Sequence, residues 1–131
     1  MKSGIAKPNT PPLLPRRARE SSKRDYGRLL ILAGSTGYTG APNFASRSAV
    51  RSGAGLVWLG VPERIYNICA LKNDEAMPFP LPCDGRGRLT AEALPEVEAR
   101  LERMDCLAIG PGLGRSEGVV ELVQGVLAAS R

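Results

Sequence analysis

The chain has 131 residues, enough for one domain with a modest core, and its 43% apolar content excludes a disordered or fibrous protein. The net charge of +5 resides in residues 1–28, which carry eight basic side chains against Glu20 and Asp25. The other 103 residues carry ten basic and eleven acidic side chains, so we expect no basic face and no nucleic-acid partner.

Residues 1–27 hold four of the eleven prolines and many of the basic side chains, without hydrophobic periodicity. Such a composition is typical of a segment that does not pack early. We therefore predict a basic, extended N-terminal arm over residues 1–27 and one folded domain over residues 28–131.

Apolar runs bounded by glycine or proline predict the strands. Three of them are continuous, which is typical of strands buried on both faces of a parallel sheet. The run at 76–81 has prolines at 78, 80 and 82, and therefore favours an edge strand or an extended connector. The predicted strands are residues 28–33, 56–61, 76–81 and 106–109.

Helices are predicted between and after these strands. Pro42 suits a first helical turn, and small residues at every fourth position up to Ala49 predict a face that packs closely on a sheet. Ser116 is a suitable N-cap for the last helix. The first predicted helix has Pro42 in its first turn, the second and third begin at Glu63 and Thr90, and the last follows the Ser116 cap. The apolar stripe of the third is Leu94, Val97, Leu101 and Met104. The alternation predicts an α/β fold with parallel strands and right-handed crossovers.

The cysteines and the apolar runs limit the class of protein further. Cys69, Cys83 and Cys106 are widely spaced in a chain without histidine, which supports neither a disulfide framework nor a zinc site. Cys106 lies in an apolar run, so we expect it to be buried. No stretch approaches the roughly 20 apolar residues that cross a bilayer, and the N-terminus lacks a signal core. We expect a cytoplasmic protein that does not bind a membrane.

Two glycine-rich loops follow predicted strands and precede predicted helices, at residues 34–40 (G-S-T-G-Y-T-G) and 110–114 (G-P-G-L-G). Open α/β sheets bind ligands at such positions, because helix N-termini present unpaired N–H groups. The pattern predicts a nucleotide or phosphate ligand. Two alternatives stay open: purely structural turns, and a Rossmann reductase, for which Glu63 is a poor ribose-binding residue because it follows a proline.

Three segments, taken together, carry a resemblance to a known family: Y-G-R-L-L-I-L-A-G-S-T-G-Y-T-G-A-P, A-V-R-S-G-A-G-L-V-W-L-G-V-P-E and A-I-G-P-G-L-G-R. Their order and spacing resemble the ATP- or ADP-dependent NAD(P)H-hydrate dehydratases. The resemblance implies the N-terminal half of a ribokinase-like, three-layer α/β/α domain with a mostly parallel sheet. It also implies a repair activity that removes water from hydrated NADH and NADPH after phosphorylation of the hydroxyl.

The same resemblance implies the site. Ala41, Gly112 and, second, Gly114 are expected to contact the hydrated dinucleotide. ATP or ADP with Mg²⁺ is the expected cofactor set, and the full-length protein is expected to form a homo-oligomer. A kinase of a small vitamin precursor or sugar, and a non-catalytic dinucleotide-binding module, are the alternatives.

The segment of the family that carries its catalytic aspartate, in a Gly-Thr-Gly-Asp loop, has no counterpart in these 131 residues. A Pro-His-Pro-Gly-Glu substrate loop is likewise absent. No catalytic residue and no metal ligand are therefore assigned, and the chain alone is expected to be inactive. An unpaired edge of a parallel sheet also predicts self-association.

Overall fold

The structure is a computed structural model that describes residues 16–130, so the first 15 residues of the predicted arm lie outside it. None of the helices in this range is long and apolar enough to cross a bilayer. The strands are β1 (Arg28–Leu32), β2 (Leu56–Pro62), β3 (Met77–Leu81) and β4 (Cys106–Ile109). The helices are α1 (Gly40–Arg51), α2 (Glu63–Lys72), α3 (Leu94–Leu101) and α4 (Glu117–Ala129).

The four strands form one parallel sheet in the order β3-β2-β1-β4. Side chains of β1 alternate between the two faces: Leu30 and Leu32 pack with α3 and α4, whereas Ile31 packs with α1 and α2. This alternation follows from the two-residue period of a strand. Helices therefore cover both faces, which confirms the predicted three-layer α/β/α class.

Strand β3 lies at one edge of the sheet and pairs with β2 alone among the described strands. Of the two predicted alternatives, the structure therefore has the edge strand and not the extended connector. Pro78 and Pro80 occupy alternate positions of this strand. Proline has no N–H to donate, and an edge strand tolerates it because one side of the strand needs no partner.

Helix α3 begins at Leu94 and not at Thr90, so the predicted start is wrong. Pro95 is the reason, since a proline is accommodated in the first turn of a helix but interrupts its interior. The preceding residues form a separate 3-10 turn, Ala91–Ala93. Met104 lies beyond the end of α3 yet still packs against the core.

Cys106 is exposed, so the prediction that it is buried is wrong. It is the first residue of β4, which is an edge strand among the described residues and is less covered than the central strands. The start of β4 is held to β1 by Asp105, whose carboxylate accepts the backbone N–H of Arg28 at 2.8 Å and its guanidinium at 3.2 Å. These bonds lower the pKa of Asp105.

The end of the predicted arm is ordered, so the prediction of an extended segment is wrong for its last residues. Lys23–Tyr26 is a 3-10 turn, and Ser22 and Asp25 cap it reciprocally, which satisfies backbone donors that would otherwise be free. The N–H of Gly55 donates to the carbonyl of Tyr26 at 3.0 Å. The turn therefore docks on the loop that precedes β2.

A buried polar network connects α1 to the C-terminal end of α2. Asn73 donates to the side chain of Asn43 at 2.5 Å and to the carbonyl of Cys69 at 2.8 Å, and it accepts from Ser46 at 2.5 Å. All three polar side chains of this network are buried. The small-residue pattern of α1 predicts packing through alanines and gives no sign of these polar residues.

Replacing Asn73 by Ala is expected to lower the free energy of unfolding by about 1–3 kcal/mol, because the buried side-chain oxygen of Asn43 loses its donor. Chemical denaturation measures the change. Asn67→Ala, at an exposed position of α2, is the matched control and should lie within about 0.5 kcal/mol of the parent chain. Equal effects of the two substitutions would contradict a structural role for the network.

Replacing Gly55 by Ala is expected to release the Lys23–Tyr26 turn, because a Cβ at this position would overlap the carbonyl oxygen of Lys23. Limited trypsin digestion reports the change as faster cleavage after Lys23 and Arg24. The control is Gly85→Ala, where an added Cβ meets no atom. Unchanged cleavage in the Gly55 variant would show that the turn is not held there.

Candidate functional site

The two glycine loops lie side by side, because β1 and β4 are parallel neighbours and both loops leave the carboxyl ends of their strands. The N–H of Gly34 donates to the carbonyl of Pro111 at 2.9 Å. The hydroxyl of Ser35 donates to the carbonyl of Gly112 at 2.7 Å, and Ser35 is only 2% exposed. Direct hydrogen bonds therefore join the loops into a single surface.

Gly112 lies at the contact between the loops. A Cβ built on it would lie 2.9 Å from the Cβ of Ala41 and 3.3 Å from that of Tyr38, closer than ordinary packing allows. Its φ of +78° is a second reason for glycine. The structure thus brings together Ala41 and Gly112, two of the three residues expected to contact the dinucleotide.

Gly114, the third of those residues, has a φ of +78° and lies against the side chain of Arg88. A Cβ built on Gly114 would lie 3.1 Å from the Cδ of Arg88. Its surroundings are therefore different from those of Gly112. Contact of either glycine with a ligand stays a prediction.

The two helices that follow the loops differ at their N-termini. In α4 the hydroxyl of Ser116 accepts the N–H of Val119 at 3.2 Å, which confirms the predicted cap, and Glu117 adds a negative charge. In α1 the N-cap Thr39 makes no side-chain cap, and the first turn has no acidic residue. The N–H groups of α1 are therefore the ones left to bind an anion.

The buried network described above also forms a hydrogen bond to the first glycine loop. Asn43 donates through Nδ2 to the carbonyl of Thr39 at 2.6 Å, and its Oδ1 accepts from Asn73. The end of the loop is thereby bonded to helices α1 and α2. The position of the open α1 N-terminus is consequently determined by the packed part of the domain.

A third segment, not predicted from the sequence, contacts both glycine loops. It is the turn of residues 84–88 (D-G-R-G-R), hereafter the 84–88 turn, which lies between β3 and the Ala91–Ala93 turn. The carbonyl of Gly87 accepts the N–H of Thr36 at 3.1 Å, and Arg88 donates to the carbonyl of Arg115 at 2.6 Å. Aspartate and glycine after an edge strand indicate a turn, but nothing local in the sequence indicates these partners.

Asp84 holds the 84–88 turn together. Its Oδ1 accepts the backbone N–H groups of Arg86 and Arg88 at 2.9 Å, and its Oδ2 accepts the guanidinium of Arg88. The backbone and side-chain bonds from Arg88 lower the pKa of Asp84. Because the folded pKa is the lower one, this contribution to stability is present above the ordinary aspartate pKa and is lost as the pH falls through the lowered value.

Within residues 16–130 no group of three or more acidic, cysteine or histidine side chains is placed to hold a metal ion. The described residues therefore offer no side-chain cluster for a metal, and Mg²⁺, which is usually held in part by nucleotide phosphates, stays a prediction of the resemblance. A depression of ≈ 550 Å³ lined by Met104, Asp105 and Cys106 lies at the amino end of β4. The glycine loops lie at the carboxyl end, where parallel sheets bind ligands.

Comparison with known proteins agrees with this geometry. The model of the NAD(P)H-hydrate dehydratase family matches residues 29–131. A bifunctional NAD(P)H-hydrate repair enzyme of Moorella thermoacetica is 44% identical over 114 residues, which are 87% of this chain and 22% of that protein.

Two solved structures are similar to the described fold. An ADP/ATP-dependent NAD(P)H-hydrate dehydratase of Bacillus subtilis, co-crystallised with ATP and Mg²⁺, superposes with a TM-score of 0.68 at 32% identity, over 88% of this chain and 38% of that one. A ribokinase-like superfamily protein of Enterococcus faecalis superposes with a TM-score of 0.73 at 25% identity, over 88% of this chain and 37% of that one.

The chain therefore spans about a fifth of the repair enzyme and less than two fifths of either solved structure. Its described sheet and flanking helices have the ribokinase-like arrangement of these neighbours. With the family model matched from β1 to the last residue, the chain belongs to the NAD(P)H-hydrate dehydratase family.

Proposed function

We propose that the two joined glycine loops form part of a site for the hydrated forms of NADH and NADPH, which are returned to NADH and NADPH in an ATP- or ADP-dependent dehydration. The observation that carries this proposal is the pair of hydrogen bonds from Gly34 and Ser35 to the second loop. These bonds place the N-termini of α1 and α4 and the backbone of the two glycine loops on one surface. The names of the Moorella and Bacillus relatives supply the chemical class.

The residues of this chain serve in binding and orientation. Gly112 and Gly114 allow close packing of the loop, since an added Cβ would meet Ala41 and Tyr38 in the first case and Arg88 in the second. This packing, together with the small side chain of Ala41, keeps the loop backbone in place for the dinucleotide. The uncapped start of α1 is suited to a phosphate of the bound nucleotide. ATP or ADP supplies the phosphoryl group that converts the hydroxyl into a leaving phosphate.

None of these loop residues is a carboxylate that could accept the proton of the hydroxyl. Asp84 is engaged with Arg88, and Asp105 pairs with Arg28 at the other end of the sheet. We therefore propose that the catalytic base is not among the described residues.

Mg²⁺ use, a cytoplasmic location and homo-oligomer formation stay predictions. Phe44 and Leu71, which are 73% and 86% exposed, are side chains that self-association would cover.

Calorimetry and an absorbance assay test this function with the 131-residue chain. We expect binding of NADPH and of its hydrate, and no recovery of NADPH from the hydrate with ATP or ADP and Mg²⁺, because the glycine loops bind but contain no base. Binding and phosphorylation of a vitamin-precursor alcohol in place of the dinucleotide would favour the kinase alternative. Recovery of NADPH would contradict the placement of the base outside these residues.

Replacing Gly112 by Ala is expected to weaken NADPH binding on the order of tenfold, because the added Cβ displaces Ala41 and Tyr38 and shifts the loops apart. Calorimetric titration gives the dissociation constant. Gly110→Ala is the matched control, since Gly110 also has a positive φ but an added Cβ meets no atom there. The two variants share a strain of roughly 1–2 kcal/mol, so equal losses of affinity would contradict a role for the loop contact.

A further inference from the structure

The 84–88 turn bridges the two glycine loops in addition to the direct bonds between them. It accepts the N–H of Thr36 from the first loop and donates through Arg88 to the carbonyl of Arg115 after the second. These two bonds are contributed by a segment that belongs to neither loop. The spacing of the loops therefore depends on the placement of a third part of the chain.

Arg88 is fixed at both ends of its guanidinium. Nε donates to Oδ2 of Asp84 at 2.8 Å, with Nη2 in an ion pair 2.7 Å from the same oxygen, and Nη1 donates to the carbonyl of Arg115 at 2.6 Å. Its side chain is 24% exposed, and its aliphatic part lies against Gly114. A planar guanidinium held by a carboxylate on one side defines the direction in which the remaining donor points.

Gly87 brings the turn close to the first loop. Its φ is +69°, and a Cβ there would overlap the Oγ1 of Thr36. Gly85, two residues earlier, has open space around it and no positive φ. The close approach to the first loop is therefore specific to one of the two glycines in the turn.

We propose that Asp84 and Arg88 are positioning residues that hold the two glycine loops at the spacing required for dinucleotide binding. The proposal rests on the function proposed above and assigns no ligand contact to either side chain. Loops at the ends of strands lose conformational freedom when they bind a ligand. A segment bonded beforehand to the first loop and to the residue that follows the second reduces that loss and so strengthens binding.

The test compares four substitutions in the full chain: Arg88→Met, Arg88→Lys and Asp84→Asn, with Arg86→Met as the control. Arg86 belongs to the same turn and carries the same charge, but its side chain is exposed and only its backbone N–H bonds Asp84. NADPH affinity is measured by calorimetry. Amide exchange of the Thr36 N–H, measured by NMR, reports the hold of the turn on the first loop.

We expect Arg88→Met and Asp84→Asn to weaken NADPH binding about tenfold and to accelerate exchange at Thr36, while Arg86→Met changes neither. Arg88→Lys should resemble Arg88→Met, since one ammonium cannot reproduce the fork that joins Asp84 to Arg115. Near-complete rescue by Lys, with unchanged exchange at Thr36, would instead indicate direct attraction of a phosphate and would overturn the positioning role.

Gly87→Ala and Gly85→Ala provide a second pair that alters no charge. Only the first should raise Thr36 exchange and weaken NADPH binding, and equal effects would overturn the proposal. If the parent chain binds no NADPH, the proposed function fails in its dinucleotide claim. The exchange data still decide whether the turn holds the loops, and unchanged exchange in Arg88→Met and Gly87→Ala would overturn that claim separately.

Discussion

Parallel pairing of β1 with β4 is the constraint on which the candidate site depends. Two parallel neighbours deliver their following loops to the same edge of the sheet, so the glycine loops meet although 77 residues separate Ser35 from Gly112. The hydrogen bonds between them form in the observed register. The open N-terminus of α1 acquires its place on the site from the same pairing, since it continues the first loop.

The site is supported from two directions by polar groups of different kinds. Behind the first loop lies the buried amide network of Asn43 and Asn73, which is uncharged and closed to solvent. Beside both loops lies the ion pair of Asp84 and Arg88, which is partly exposed. Buried amides maintain their geometry across the pH range, whereas the ion pair depends on an ionised carboxylate. Of these two supports, the partly exposed ion pair is thus the one that responds to acid.

Most of the architecture could be predicted because it depends on local patterns. The apolar runs of the strands, the prolines of the edge strand and the Ser116 cap can all be recognised from residues that are adjacent in the sequence. The predicted start of α3 is too early, because the apolar stripe does not reveal that Pro95 must lie in the first turn. The order of Lys23–Tyr26 and the partners of the 84–88 turn were missed because they depend on contacts with Gly55, Thr36 and Arg115, which no short window of sequence contains.

The candidate site, like the fold, could be predicted from the sequence only in part. Both glycine loops were recognised from spacing, and the resemblance pointed to Ala41 and Gly112, which the fold places in contact. The roles of Asn43 and Arg88 arise only when distant segments are brought together. A single sequence gives no sign that one particular arginine among many reaches a backbone carbonyl 27 residues away.

The two edges of the described sheet differ in their capacity to accept another strand. Along β3 the alternating prolines leave no continuous row of N–H donors. The β3 edge is therefore poorly suited to pair with another strand. Strand β4, with the sequence C-L-A-I, has no such interruption. The two edges of the described sheet therefore differ in their ability to pair with another strand. A further strand, from any source, would be received beside β4, and the exposed thiol of Cys106 marks where its pairing would begin.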